Sequence, residues 1–394
     1  MFLIVFLDLI GFGLLLPLLP LFVAAAGGTP AVVGAMLATF SASQLVSTPV
    51  LGRWADRWGR RRVMLLGLAG NSLSMALFAL AAAQGSLELA FASRLLAGIT
   101  AGTLGACQAA ISDVTSGEHR SRAMGLVGAA IGLGMILGPL LGSVLGPLGL
   151  WAPPLAACVL AMLALGGVYL RMPETAPAHA PASQARLQRR AFSGQPWLAL
   201  AGRRGILAVL VLYVAVFAVL AALHTTLPLL AHVALGWHVR EVGITFAAMG
   251  LGSLLVQGVL IGPLVARFGA SSLVTAGFAV LAVALTAIAS AGTTSPLVGG
   301  ALIAGVAAGL VLPSLATVAS DLAGIDERGA VLGLAQSSGG LGRTIGPLGA
   351  GMVHATLGPA SAVLSAAVVA GLALPLAAAL ARHMRALHRP GSQQ

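Results

Sequence analysis

The chain has 394 residues, of which 58% are hydrophobic and only 8% are charged, and its formal net charge at pH 7 is +11. Soluble domains carry about 25% charged residues, so this chain cannot cover a water-facing surface of its size and is predicted to lie in a lipid bilayer. All of its basic residues other than histidine are arginines, which excludes a lysine-containing P-loop. Its two cysteines are too few for a disulfide framework or a cysteine-based metal site.

Twelve apolar stretches are each long enough to cross the hydrocarbon core, which needs about 20 helical residues. The first has no basic segment before its long apolar run, so we interpret it as a retained helix rather than a signal peptide. A loop rich in proline and arginine separates two sets of six. The predicted spans, numbered one to twelve, are 2–23, 31–51, 63–84, 89–112, 123–146, 150–170, 206–233, 242–265, 271–291, 296–320, 330–355 and 359–381.

These spans predict an all-α integral membrane protein made of two six-helix bundles. The N-terminal bundle is predicted at 1–170, a linker loop at 171–204, the C-terminal bundle at 205–382 and a tail at 383–394. All 21 arginines except Arg94, Arg240 and Arg343 fall on one side of the predicted membrane. Because arginine-rich loops face the cytoplasm, both termini and the linker are predicted to be cytoplasmic, in a bacterial inner membrane. Short clusters of this kind do not indicate nucleic-acid binding.

An internal repeat is visible at an offset of 208 residues. Asp113 matches Asp321, and the Gly-Pro-Leu segment at 138–140 matches the one at 346–348, in one register across a loop and a helix. Spans four and five therefore correspond to spans ten and eleven. This pseudo-symmetry is typical of secondary transporters with six helices in each half.

The segment between spans two and three reads GRWADRWGRRR over 52–62. Asp56 and Arg60 are four residues apart, which is the spacing of a helical ion pair. Gly52 allows a neighbouring helix to approach closely, and Gly59 permits a sharp turn. The segment resembles the signature loop G-x-x-x-D-R-x-G-R-R of the major facilitator superfamily.

In that family the loop, together with an acid at the end of the fourth helix, latches the cytoplasmic side shut. In the second half, the corresponding segment 262–269 has Ala266 in place of the acid, so the main latch is expected in the first half. The residues that the resemblance assigns to the latch are Gly52, Asp56, Arg57, Gly59, Arg60, Asp113 and Arg120. Asp56, Arg60, Asp113 and Arg120 are predicted to form one network that favours the outward-open state.

Three further segments resemble drug:proton antiporters of this family. Arg94 and the residues after it in span four are similar to the arginine motif linked there to proton transfer. Span one, over 7–20, is most similar to tetracycline efflux proteins, but Asn71 stands near a third-helix acid site and span nine has no acid. The resemblance therefore implies tetracycline-type or multidrug efflux. The glycine-rich fifth span matches the antiporter motif with Gly125, Gly128, Gly132, Gly134, Gly138, Pro139 and Gly142.

Asp8 is the one acid well inside a predicted span, about 10 Å from its start at 1.5 Å per residue. A carboxylate at that depth is costly to ionise and marks a functional site, so Asp8 is predicted to bind a proton in one state and release it in another. Arg94 and Arg343 are the arginines at membrane depth, and either is expected to approach Asp8 as the helices move.

Seven polar residues at membrane depth are candidates to line a central cavity. They are Gln44, Asn71, Gln108, His224, Gln257, Gln336 and Arg343. Together these patterns predict a secondary active transporter that exchanges a small drug-like molecule for protons, works as a monomer, and uses no cofactor, metal or catalytic residue. The alternatives are an importer or facilitator of a small metabolite in the same fold, or, from another class, a membrane-embedded enzyme or a receptor.

Overall fold

The computed structural model describes residues 2–115, 117–175, 202–324 and 327–387, without the side chains at 112, 117–122, 124 and 387. These residues confirm the predicted all-α fold of twelve spans. The first six are Phe2–Ala25, Pro30–Trp58, Arg60–Gln84, Leu87–Ile99 continued by Thr103–Val114, Gly117–Leu145 and Ala152–Arg171. The last six are Arg204–Leu235, Val239–Leu255 continued by the π-helical turn Val256–Leu260 and by Ile261–Phe268, Ala270–Ala289, Thr294–Leu322, Arg328–Leu357 and Pro359–Leu387.

Within the described ranges, eleven helices are long and apolar enough to cross a membrane by length and composition. Span eleven, Arg328–Leu357, is long enough but rich in glycine and polar residues, which include Gln336 and Arg343. It packs between spans seven and two. Its place in the membrane is therefore decided by tertiary packing rather than by its own apolarity.

The sequence-based boundaries are wrong in three places. Span two continues to Trp58, so the segment predicted as a loop is helical up to the turn at Gly59, which has φ +109. Span four is broken between Ile99 and Thr103. The last span continues to Leu387, past the predicted start of the tail. Residues 176–201 of the predicted linker and 388–394 of the predicted tail lie outside the described residues.

The break in span four follows from a close helix contact. Gly70 of span three lies directly against the Thr100 side chain, because a Cβ atom added at Gly70 would come within 2.3 Å of Thr100 Cγ2. Gly102, a poor helix former, precedes the second helix. The break thus lies where span three packs directly against span four.

Packing within the two halves is duplicated. In the first half, a Cβ atom at Gly138 would lie 2.7 Å from the Gly13 Cα atom, so span five lies directly on span one. In the second half, a Cβ atom at Gly346 would lie 2.3 Å from the Ala218 carbonyl oxygen, so span eleven lies on span seven in the same way. Small residues let helix backbones approach this closely. The offset-208 repeat therefore corresponds to a repeated helix contact.

Candidate functional site

The two halves meet at the end of the bundle that lacks the arginine clusters, which we call the arginine-poor end. A Cβ atom at Gly34 of span two would lie 2.2 Å from the Pro347 carbonyl oxygen of span eleven. The pseudo-symmetric contact joins spans eight and five, where a Cβ atom at Gly243 would lie 2.5 Å from the Pro139 carbonyl oxygen. These two glycine–proline contacts, which we call the seal, close the arginine-poor end.

At the opposite, arginine-rich end the same helices diverge. Cβ atoms added at Gly125 and Gly128 of span five, or at Gly258 and Gly262 of span eight, would have none of the described neighbouring atoms within 4 Å. Gly125, Gly128 and Gly258 line the space between the halves. The interior is therefore closed at one end and open towards the other.

A cavity of about 700 Å³ occupies this space, a volume within the range of small-molecule sites. Spans of both halves form its walls, and most of the lining is aliphatic or aromatic. The aromatic lining residues are Phe12, Phe40, Phe217, His224 and Phe246. The His224 and Phe246 rings meet edge to face with centroids 5.3 Å apart. Such walls suit a solute with a large apolar body.

Three of the seven predicted cavity residues do line it, namely His224, Gln257 and Arg343. The other four do not line it in this conformation. Gln108 and Gln336 are exposed outside the cavity, and Asn71 is bonded to Asp8. Gln44, on span two, also lies outside it. Sequence depth alone does not show on which face of a helix a polar side chain lies.

Asp8 is hydrogen-bonded inside the first half. The Asn71 side-chain amide donates to Asp8 Oδ1 at 2.8 Å. Ser74, one turn along span three from Asn71, accepts a hydrogen bond from Arg94 Nη2 at 3.3 Å. Residues three apart lie on the same helix face, so span three places two polar side chains between the carboxylate and the guanidinium.

Arg94 is 3% exposed and lines the cavity. Its Nη2 also donates to Ser93 Oγ at 3.0 Å, and its guanidinium lies 4.9 Å from the centroid of the Phe78 ring. Among the described residues, Arg94 Nε has no hydrogen-bond partner, and neither Arg94 nor Arg343 forms an ion pair with Asp8. The predicted approach to Asp8 is not made in this conformation.

The latch residues that the structure describes come together in part. Arg60 pairs with Asp56 one turn earlier, and Arg60 Nε donates to Asp113 Oδ2 at 3.2 Å. Arg57 is exposed, and the side chain of Arg120 lies outside the described residues. Among the described residues, Gly52 does not make the predicted close helix contact, because a Cβ atom there would meet none of their atoms within 4 Å. Gly52 lies at the end where the halves diverge.

Sequence reasoning missed Glu174, which follows span six. Glu174 Oε1 accepts the backbone N–H of Arg60 at 2.8 Å and that of Arg61 at 3.5 Å, so this carboxylate caps the start of span three. A Cβ atom at Gly59 would lie 2.1 Å from Glu174 Oε2. Glycine at 59 is therefore required both by its positive φ and by this contact. No local signal joins Glu174 to residue 60, because the two are 114 positions apart.

The glycines of span five lie on three faces of one helix. Gly134, Gly138 and Gly142 face span one, with added Cβ atoms at 2.8 Å from Leu9, 2.7 Å from Gly13 and 3.2 Å from Leu14. Gly132 faces span eight, Gly125 and Gly128 line the cavity, and Pro139 belongs to the seal. The motif thus combines packing within a half, contact between halves and cavity space.

Comparisons with known proteins agree with this geometry. The family model described as the Major Facilitator Superfamily matches residues 1–253 and 225–393. The tetracycline resistance protein, class C, of Escherichia coli is 31% identical over 351 residues, which cover 87% of this chain and 85% of that protein. Multidrug resistance protein 2 of Bacillus subtilis (strain 168) is 35% identical over 161 residues, covering 41% and 40% of the two chains.

Solved structures show the same architecture. The human organic anion transporter MFSD10 (TETRAN) is 28% identical, with a TM-score of 0.67 over 95% of this chain and 97% of that chain. A bacterial homolog of the human lysosomal transporter Spinster, in an inward-facing and occupied conformation, has a TM-score of 0.79 over 97% and 95% of the chains at 16% identity, so it supports the fold alone.

Proposed function

Since the chain belongs to the major facilitator superfamily, we propose that it is a proton-coupled exporter of drug-like or amphipathic small molecules that works by alternating access, and not an enzyme. One observation carries this proposal: a cavity at membrane depth, shared by both halves, is closed at one end and open towards the other. Transporters of this construction bind substrate between their repeats and expose the site to each side in turn. The names of the tetracycline and multidrug resistance relatives favour export.

The proposed orientation follows from the arginines. The arginine-rich end, both termini and the linker are proposed to lie in the cytoplasm of a bacterial cell. The seal then lies on the outer face of the inner membrane, and this conformation is open inwards. A cysteine introduced at Ser183 of the linker, in a background lacking Cys107 and Cys158, tests this. It should react with an impermeant maleimide only after cell lysis. Labelling in intact cells would show that the orientation is the opposite of the one proposed.

Asp8 is the proposed proton carrier, and Arg94 is its proposed coupling partner. Asn71 and Ser74 support this role because they lie one turn apart on span three, where Asn71 bonds the carboxylate and Ser74 bonds an arginine of the cavity wall. A change at Asp8 then alters the surroundings of Arg94, and a change at Arg94 alters those of Asp8. Coupling of substrate to proton requires such a reciprocal effect. The Asp56, Arg60 and Asp113 network, which lies within the first half and is already formed in this conformation, is proposed to take part in the cytoplasmic latch of the outward-open state.

The test uses everted membrane vesicles from cells that express the protein, with tetracycline, fluorescein and rhodamine 123 as probes. At least one probe should accumulate when a proton gradient is imposed and leave when an uncoupler is added. If none does, the export proposal fails; accumulation that never exceeds the outside concentration would instead indicate a facilitator.

The Asp8→Asn variant tests the coupling step on the same vesicles. It should express normally, lose gradient-driven accumulation, and keep substrate counterflow, which needs no net proton movement. The matched control is Glu88→Gln, which neutralises an exposed carboxylate at the arginine-poor end. Accumulation by Asp8→Asn equal to that of this control would exclude Asp8 as the coupling residue and turn attention to His224.

A further inference from the structure

The charges that line the cavity are all positive. Arg94 from the first half and Arg343 from the second half both line it, and no aspartate or glutamate is among the described residues of its wall. Asp8 is not a lining residue and is bonded to Asn71. The remaining polar lining is neutral or weakly basic, from Ser41, His224, Ser253 and Gln257. From the described part of this wall, a solute therefore meets two guanidinium groups and no fixed negative charge.

Both guanidinium groups are held by aromatic rings. Arg343 lies 4.6 Å from the centroid of the Phe217 ring, as Arg94 lies over Phe78. Stacking occupies the flat face of a guanidinium and leaves its N–H edges free to bind an anion. Among the described residues, Arg343 forms no ion pair, and Arg94 keeps an unpartnered buried Nε. Arg343, which is only half-buried, therefore offers hydrogen-bond donors at the cavity.

Burying positive charge in a membrane protein is costly unless an anion or hydrogen bonds compensate it. A carboxylate or sulfonate on a substrate supplies that compensation at Arg343, since guanidinium groups bind such planar anions through paired hydrogen bonds. A cationic solute would instead be repelled by both arginines. The phenylalanines around them match an aromatic body next to the anionic group.

From this arrangement we infer that the substrates are amphipathic organic anions, with an apolar aromatic body and a carboxylate or sulfonate that binds Arg343, in a cavity that Arg94 also lines. This inference rests on the proposed transport function and names its substrate class. Arg343 is the better residue for testing it, because it is only half-buried, whereas Arg94 also holds spans three and four together through Ser74 and Ser93.

The experiment measures equilibrium binding to the purified full-length protein by fluorescence polarisation. Fluorescein and rhodamine 123 share a xanthene ring system, but the first is an anion and the second a cation at pH 7.4. Fluorescein should bind more tightly. Arg343→Gln should weaken fluorescein binding by at least about tenfold, the value of one charged hydrogen bond, and Arg343→Lys should restore part of it. If Arg343→Gln weakened binding only by disturbing the structure, lysine at this position would not restore the binding of the anion selectively.

Arg240→Gln is the matched control, since it removes the same charge from an exposed position at the arginine-poor end and should leave fluorescein binding unchanged. Tighter binding of rhodamine 123 than of fluorescein, or equal effects of Arg343→Gln and Arg240→Gln, would overturn the inference. Failure of the transport proposal is distinguishable: fluorescein would then still bind in an Arg343-dependent manner, but no gradient would move it across the membrane.

Discussion

The two halves of the molecule share their packing but not their charges. Gly138 and Gly346 bring their spans onto spans one and seven, and Gly34 and Gly243 each meet the carbonyl of a proline in the other half. Among the described residues, only the first half has Asp8 at membrane depth and an Asp56–Arg60–Asp113 network, whereas Ala266 stands in the second half where the network would need its acid. The duplicated contacts define the bundle, and the unduplicated charges support the proposal that coupling lies in the first half.

Substitutions in the seal are expected to have the largest effect on transport, and the effect should be equal for the glycines of the two halves. A valine at Gly34 or at Gly243 would collide with the Pro347 or Pro139 carbonyl, so the arginine-poor end cannot close. Overpacking costs about 1–3 kcal/mol, which shifts a two-state equilibrium by about 5–150-fold. Transport should therefore collapse, and a cysteine placed at Ser41 in the cavity wall should react faster with an impermeant maleimide from outside.

The control for the seal is Gly349→Val, which lies on the same span as Pro347 and adds side chain to open space. It should transport normally. A strong effect of Gly34→Val together with no effect of Gly243→Val would show that the two contacts, although alike in geometry, do not contribute equally to closure.

The contacts within each half should matter for stability rather than for the direction of opening. Gly138→Ala and Gly346→Ala each insert a methyl group where the neighbouring backbone atom lies at 2.7 Å and 2.3 Å. Each is expected to destabilise the protein by about 1–3 kcal/mol, seen as a lower Tm of the purified protein. Gly166→Ala, which faces open space, is the control. An unchanged Tm in either variant would mean that the helices can move apart without loss of folding stability.

The charge difference between the halves predicts an asymmetric pair of variants. Asp56→Asn should slow transport by about fivefold while the protein still reaches the membrane, since a partly exposed pair contributes at most about 1 kcal/mol. Arg267→Gln, at the corresponding turn of the second half, should have little effect, because Ala266 leaves that segment without its acid. Initial transport rates per amount of protein compare the two. Equal slowing would show that the second-half segment retains a role in the latch.

The smallest effect is expected at the exposed pair of the second half. Arg203 donates two hydrogen bonds to Glu327, at 2.7 and 3.1 Å, and these hold the pKa of Glu327 below its usual value. The pair's small contribution to stability is therefore present above the unfolded-state pKa, about 4.3, and is lost as the pH falls through the lower folded-state pKa. Glu327→Gln should lower Tm slightly at pH 7 and not at all in strong acid, without altering transport. A transport defect would make this pair part of the latch.

The repeat and the spans were predictable because each depends on residues close together in the sequence. A run of about 20 apolar residues identifies a span without knowledge of its neighbours, and the Gly-Pro-Leu segments at 138–140 and 346–348 identify equivalent helices. The ion pair of Asp56 with Arg60 was also predictable, because it spans one helical turn. The turn at Gly59 followed from the same local chemistry.

The composition of the cavity wall was not predictable in this way. Gln257 and Gln336 are both polar residues at membrane depth, yet the first lines the cavity and the second does not. The phenylalanines at positions 12, 40, 217 and 246 are indistinguishable in the sequence from lipid-facing ones. In a membrane helix both the lipid and the protein interior accept apolar side chains, so hydrophobicity does not indicate which face is inward.

The sequence by itself determined the membrane class, the twelve spans, the pseudo-symmetry of the halves and the depth of Asp8, Arg94 and Arg343. Only the tertiary structure decided that Asp8 is bonded to Asn71, that Glu174 caps span three, that both arginines line one cavity, and that the halves touch through Gly34 and Gly243. The physical reason is that contacts between spans depend on helix rotation and on the angle between the halves. Both are set by side chains far apart in the chain that pack against each other, and local apolarity does not record them.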